Sequence, residues 1–147
     1  MLKFKKITLM ATLGLAMGFS SIANADVNET LANICTIVEA DDKGELRKKM
    51  RTVNSDYRLK LRDYYSGITC GGQSLIKSSF DNNSIETGTL LIKKMPKEAL
   101  TAPEHDNQGT LLEWATANAN SPELLKELKE RIESVSYTHL RAHETGW

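Results

Sequence analysis

Cys35 and Cys70 are the only cysteines of a 147-residue chain that opens on an export signal, and this conjunction limits what the rest can become. Lys3, Lys5 and Lys6 make a basic n-region, Ile7 to Phe19 an apolar h-region, and Ala23-Asn24-Ala25 a small-residue cleavage site before Asp26. Sec-dependent export with cleavage after Ala25 is expected to deliver the mature chain to the periplasm. The apolar run is too short for a spanning helix, and no cysteine follows the cleavage point. A released protein with neither a transmembrane nor a lipid anchor is therefore expected. In an oxidising compartment an even pair of cysteines reads as a disulfide rather than a metal or redox site. A spacing of ~35 residues is far from the Cys-x-x-Cys of reactive dithiols, and closing that loop removes unfolded-state entropy worth roughly 4 kcal/mol in the chain-entropy account. A mature domain this small buries a modest core, so such a staple matters.

The formal charge balance of zero conceals an uneven distribution. From Lys43 to Arg62 the chain is basic, with Arg47, Lys48, Lys49, Arg51, Arg58, Lys60 and Arg62 against Glu45 and Asp56. From Glu98 to Glu133 it is acidic. The tail Val135-Ser-Tyr-Thr-His-Leu-Arg-Ala-His-Glu-Thr145 spells, residue for residue, one reading frame of a transposase sequencing adapter. Residues 135–147 are therefore expected to be an adapter-derived, disordered artefact, leaving a single truncated domain over 26–134. His139, His143 and Trp147 are set aside as ligands or aromatics on that ground.

Within 26–134 the apolar residues recur with helical spacing and nowhere alternate long enough for a strand, so the expected class is all-α. Asn28 caps a first helix with Leu31, Ile34, Cys35 and Val38 on one face, and Asp42 with Glu45 opens a second through Leu46, Met50 and Val53. Asn54 or Ser55 opens a third segment, with Tyr57, Leu61, Tyr64 or Tyr65 and Ile68, that stops at Gly71-Gly72. Ser74 caps a short helix, Asp81-Asn82-Asn83 breaks it, and Ser84 starts a helix that Pro96 stops. Gly88 inside that helix marks a close helix contact. A polar connection runs from Lys97 to Gln108, after which Thr110 and Ser121-Pro122 open the last two helices.

The two final helix pairs resemble each other. Ser74, Ile76 and Ser79 align with Thr110, Leu112 and Ala115 at an offset of 36 (110 − 74), and Glu86 and Leu91 align with Glu123 and Leu128 at 37 (123 − 86). This pattern is similar to the helix hairpin of ankyrin repeats, with Asn83 and Asn120 in the turn, although the family's Pro is Leu75 or Leu111 and its His is Lys77 or Glu113. The resemblance implies stacked helix hairpins. Separately, Ile34-Cys35, Asp41-Asp42, Leu46-Arg47-Lys48, Met50-Arg51 and Cys70-Gly71-Gly72-Gln73-Ser74-Leu75 resemble a family of small exported bacterial proteins known only as a domain of unknown function. That likeness spans Leu31 to Leu75 and supports pairing the cysteines. It implies no activity.

The inventory for catalysis is thin. His105, the one histidine between Asp26 and Ser134, stands between Glu104 and Asp106 in the polar connection and is expected to be solvated. No serine sits in a Gly-x-Ser-x-Gly setting, and no phosphate loop, zinc spacing or calcium loop occurs, so no catalytic residue, metal or cofactor is assigned. The basic run is the candidate site: Arg47, Lys48, Arg51, Arg58 and Arg62 for phosphate or carboxylate groups, with Tyr57, Tyr64 and Tyr65 beside them. Its partner would be an anionic envelope component or an acidic protein face, not nucleic acid. The reading is a non-catalytic binding domain. The competing readings are an enzyme or enzyme accessory subunit using His105 and its carboxylate neighbours, and a purely structural envelope protein.

Overall fold

The structure, a computed structural model, describes residues 26–118 and 120–144, and side chains as far as Ser134. The expected export signal, residues 1–25, lies outside the described residues, as do Gly146 and Trp147. After a helical turn over 26–30 come eight α-helices. They are α1 Ile34–Glu39, α2 Lys43–Tyr57, α3 Leu61–Tyr64, α4 Leu75–Asp81, α5 Ile85–Lys94, α6 Lys97–Thr101, α7 Leu111–Ala117 and α8 Pro122–Glu144. A 3-10 turn, Tyr65–Gly67, continues α3, and no strand occurs among the described residues. The all-α expectation is met, and Cys35 is bonded to Cys70 with their Cα atoms 5.6 Å apart.

The helices associate in pairs. α1 lies against α2, α4 against α5 and α7 against α8; α1 also packs on α4 and α4 on α7, while α2 packs on α5 and α5 on α8. Leu46, Leu75, Ile76, Phe80, Leu91, Ile92, Leu124 and Leu128, all fully buried, form one continuous core along this row. Burial of each such side chain is worth about 1.5–3 kcal/mol. Asp41 and Asn83, both at positive φ (54° and 49°), make equivalent turns inside the first two pairs. The Asp41 carboxylate then reaches across to the second pair and accepts the N–H groups of Thr87 (2.8 Å) and Glu86 (3.3 Å) together with the Thr87 hydroxyl (3.0 Å). Ser84, the residue before α5, makes no capping bond of its own. A carboxylate from the neighbouring pair thus satisfies the helix's open donors and its dipole.

Three expectations need correction. The first helix does not run unbroken from Asn28: the chain breaks over 31–33, and α1 starts after Asn33. Asn54 and Ser55 lie inside α2, which ends at Arg58 in the left-handed region (φ 58°) with its N–H bonded to the Asn54 carbonyl. The Tyr57-to-Ile68 pattern is therefore two faces of a broken chain and not one helix. The Lys97-to-Gln108 connection contains α6, whose sole buried anchor is Leu100. The last helix, α8, is traced as backbone from Pro122 to Glu144.

Gly88 lies where α5 meets α4 and α8. A Cβ there would stand 2.7 Å from Leu124 Cδ2 and 2.8 Å from Ser79 Oγ, both on fully buried residues. Alanine gains about 1 kcal/mol of helix propensity over glycine, but overpacking a filled core costs typically 1–3 kcal/mol. Gly88→Ala is therefore expected to lower stability by about 1 kcal/mol or more in urea unfolding, and a stabilised variant would refute this close approach.

Candidate functional site

Two polar features stand out, and they differ in what they can do. The first is buried. Lys77 on α4 is completely enclosed, and its ammonium group donates to both oxygens of Asp106 at 2.7 and 2.8 Å, while lying 5.3 Å from the centre of the Trp114 ring. The Asp106 side chain is 4% exposed. Next to this pair Glu104 accepts from the Tyr65 hydroxyl (3.1 Å) and the Ser74 hydroxyl (3.3 Å). The 102–110 loop is closed at its base by a bridge between Pro103 and Thr110 and by Glu104 N–H on the Gly109 carbonyl (2.8 Å). The expectation of a solvated loop around His105 is thus overturned: Glu104 is buried, and the loop is nailed into the gap above α4 by its carboxylates.

Burial of this pair is costly, and removing one partner of such a pair typically costs 3–5 kcal/mol because the other charge is left unpaired. The neighbouring carboxyls are displaced in opposite directions. Burial raises Glu104 above the usual glutamate range, against the opposing Tyr65 hydrogen bond and the charges of Lys77 and His105. Burial also acts to raise Asp106, but the hydrogen bonds from Lys77 and from Gln108 N–H outweigh it and hold the carboxyl below its ordinary value. Tyr65 is pushed far up by burial and by Glu104, so its hydroxyl remains a donor. His105 Nδ1 is 3.6 Å from Glu104 Oε2 and its Nε2 is 3.2 Å from the Ile68 carbonyl. The carboxylate lies between the Ser74 hydroxyl and the imidazole, whereas nucleophilic catalysis needs the base against the hydroxyl. No group of three or more His, Cys, Asp and Glu residues able to hold a metal ion occurs among the described residues. The arrangement is that of a structural rivet.

The second feature is an open cleft of 420 Å³ on the other side of the row. Arg47, Met50, Arg51 and Asn54 fall at i, i+3, i+4 and i+7 of α2 and so share one stripe of that helix. Facing them are Leu90 and Lys94, one turn apart on α5, and Leu59, Lys60, Leu61 and Tyr64 from the link and α3. Four cations therefore surround an apolar floor; among the described residues no carboxylate lines the cleft and none forms an ion pair with any of the four. Lys94 sits in the last turn of its helix, where a cation also complements the dipole. Tyr64 is 7% exposed, and its hydroxyl has no hydrogen-bond partner among the described residues. Burial, and after it the charge of Asp63, pushes that hydroxyl up to about 12.

Of the five basic residues singled out from sequence, the fold brings Arg47 and Arg51 together and leaves three outside the cleft. Lys48 points off the stripe, Arg58 is the exposed residue ending α2, and Arg62 is exposed beside Asp63 (3.7 Å). Lys60, part of the basic run but not of the candidate set, and Lys94, outside the run, complete the cleft. The i, i+4 spacing of Arg47 and Arg51 was readable, but only the packing of α2 on α5 puts Lys94 opposite them. Of the tyrosines, Tyr64 reaches the cleft, Tyr65 belongs to the Glu104 cluster and Tyr57 is half-buried against the core.

Residues 34–102 match the model of a family described as protein of unknown function (DUF3718). The match takes in just under half of the chain. It extends well past Leu75, where the sequence likeness ends, and it holds both cysteines and every described residue lining the basic cleft. Glu104, His105 and Asp106 fall beyond its last residue. No curated protein and no solved structure matches the chain. No described helix is long and apolar enough to cross a membrane.

The opposite shifts of Glu104 and Asp106 make a pH prediction. Glu104 is raised on folding, so the stability it lends is complete below the ordinary glutamate range and is lost as pH rises through the raised value. Asp106 is lowered, so its contribution is present above the ordinary aspartate range and disappears as pH falls through the lowered value. Glu104→Gln keeps an acceptor for Tyr65 and Ser74 without the buried charge. It is expected to be more stable than the parent at neutral pH, with the two converging as pH falls below the glutamate range in thermal melts. A Gln variant that is less stable at every pH would contradict this assignment.

Proposed function

We propose that the chain is an exported, periplasmic binding module that acts through the basic cleft and carries out no chemistry of its own. The observation that carries the reading is the concentration of Arg47, Arg51, Lys60 and Lys94 around one concave, acid-free surface. Unpaired surface cations usually sit apart in water. Gathered on one concavity they raise the local potential and attract anions, and the two guanidinium groups supply forked donors suited to phosphate or carboxylate. The ligand is an anionic group of the cell envelope or of an acidic protein face.

Three further observations support the reading. A disulfide within the domain suits an oxidising compartment, as does the sequence of residues 1–25. The row of helix pairs, with α1 on α4 on α7 and α2 on α5 on α8, is the arrangement that an ankyrin-like stack of hairpins would produce. In such a stack α1 and α2 form a third hairpin, with Asp41 where Asn83 stands in the next. The Glu104–His105 region favours binding over catalysis as well, because its groups are engaged in holding the loop rather than aligned on a substrate.

The test is titration of the oxidised protein with inorganic phosphate. Arg51→Gln is expected to weaken binding about tenfold, the loss typical of one hydrogen bond to a charged group, and binding should fall as sodium chloride is raised. Lys48→Gln, outside the cleft, should leave it unchanged. Equal affinity for the parent and Arg51→Gln, or no phosphate binding by the parent, would overturn the proposal.

A further inference from the structure

The basic cleft offers more than charge. Arg47, Arg51, Lys60 and Lys94 are all exposed, and they stand on three separate segments: α2, the link before α3, and α5. Cations on three segments are matched better by several anionic groups carried on one molecule than by one compact anion. On the floor between them, Met50 of α2 and Leu59 of the link are only half-buried, so apolar surface is open to water inside the charged ring. Covering it further is favourable, and a hydroxylated sugar phosphate has nothing with which to do so.

The polar group that completes the lining is Asn54, exposed and one turn beyond Arg51 on the same stripe of α2. Its Nδ2 donates to the Leu59 carbonyl at 3.5 Å, and no described residue donates to its Oδ1. Lysine and arginine side chains can only donate. Among the described residues, Asn54 Oδ1 is therefore the exposed side-chain acceptor on a rim of donors, and what it can take is an N–H or O–H of the ligand.

We infer that the cleft takes an acidic peptide segment of a partner protein, with an apolar side chain on Met50 and Leu59, carboxylates beside it against the four cations, and a peptide N–H donating to Asn54. This rests on the anion-binding reading above and adds to it the chemistry of the ligand. A peptide carries all three parts at residue spacing: carboxylates on neighbouring side chains, an apolar side chain among them, and one N–H per residue. The 420 Å³ of the cleft lies in the range of small-ligand sites, so it admits a short segment and not a folded face.

The experiment compares acetyl-Glu-Asp-Leu-Asp-Glu-amide, its counterpart with serine in place of leucine, and inorganic phosphate by calorimetry on the oxidised full chain. The leucine peptide is expected to bind about tenfold more tightly than the equally charged serine peptide, the gain from partly burying one aliphatic side chain. It should also bind more tightly than inorganic phosphate. Asn54→Ala is expected to weaken the leucine peptide about fivefold, the loss of one neutral hydrogen bond, and to leave inorganic phosphate unchanged. Alanine is the better helix former at this exposed position, and retained phosphate binding also reports that the variant is folded. Equal affinity for the two peptides, or a leucine peptide insensitive to Asn54→Ala, overturns this inference while Arg51-dependent phosphate binding leaves the anion cleft standing. Binding of neither phosphate nor peptide removes both. Flotation on phosphatidylglycerol vesicles that depends on Arg51, with no preference for the leucine peptide, assigns the cleft to a membrane surface and overturns the peptide.

Discussion

The Cys35–Cys70 crosslink governs the part of the molecule on which the proposed function depends. Between the end of α2 and Cys70 the chain has only α3, one 3-10 turn and a left-handed residue at Arg58, too little regular structure to hold itself in place. Leu61, Tyr64 and Tyr65 anchor it by burial, and the disulfide fastens its far end to α1. Roughly 4 kcal/mol of unfolded-state entropy is removed by closing such a loop, a large share of what a domain this small can muster. The same segment provides Leu59, Lys60, Leu61 and Tyr64 to the basic cleft. The crosslink is therefore both a stabiliser and the fixture that holds one wall of the basic cleft in place.

The rest of the stack is held by different means. Where the first helix pair meets the second, the Asp41 carboxylate caps α5, so neighbouring pairs exchange satisfied hydrogen bonds as well as apolar contact. Where the second meets the third, Gly88 allows close approach to Leu124. The Lys77–Asp106 pair fixes the loop that joins them. Charge is used here in two opposite ways. In the rivet it is enclosed, neutralised and unable to meet a ligand, whereas in the cleft it is left unpaired and open to water.

Much of this was legible in the sequence, and the illegible part has a common cause. Asp42 before Glu45, Ser74 and Thr110 before apolar helical stripes, and Pro122 at a first helical position are local signals whose chemistry acts within one turn, and the helices start where they stand. The Arg47–Arg51 stripe is local in the same sense. Lys77 was invisible as a buried cation because the acidic residue near it in sequence, Asp81 at i+4, is not the one it pairs with; Asp106 lies 29 residues away, in a stretch whose composition is that of an exposed loop. Lys60 and Lys94 joined the site only through tertiary packing. The break at Arg58 was missed because Tyr57, Leu61, Tyr64 and Ile68 keep a helical rhythm across it, and a non-glycine residue in the left-handed region carries no warning in its identity.

Hydrogen exchange on the oxidised chain and on Cys35→Ser/Cys70→Ser, read beside phosphate titration of both, most directly tests whether the crosslink shapes the cleft. The expected result is loss of amide protection confined to residues 58–70, together with loss of phosphate affinity, while α4, α5 and α7 keep their protection. Unchanged protection over 58–70 with undiminished phosphate binding would contradict the account, because the cleft wall would then stand without its covalent tie.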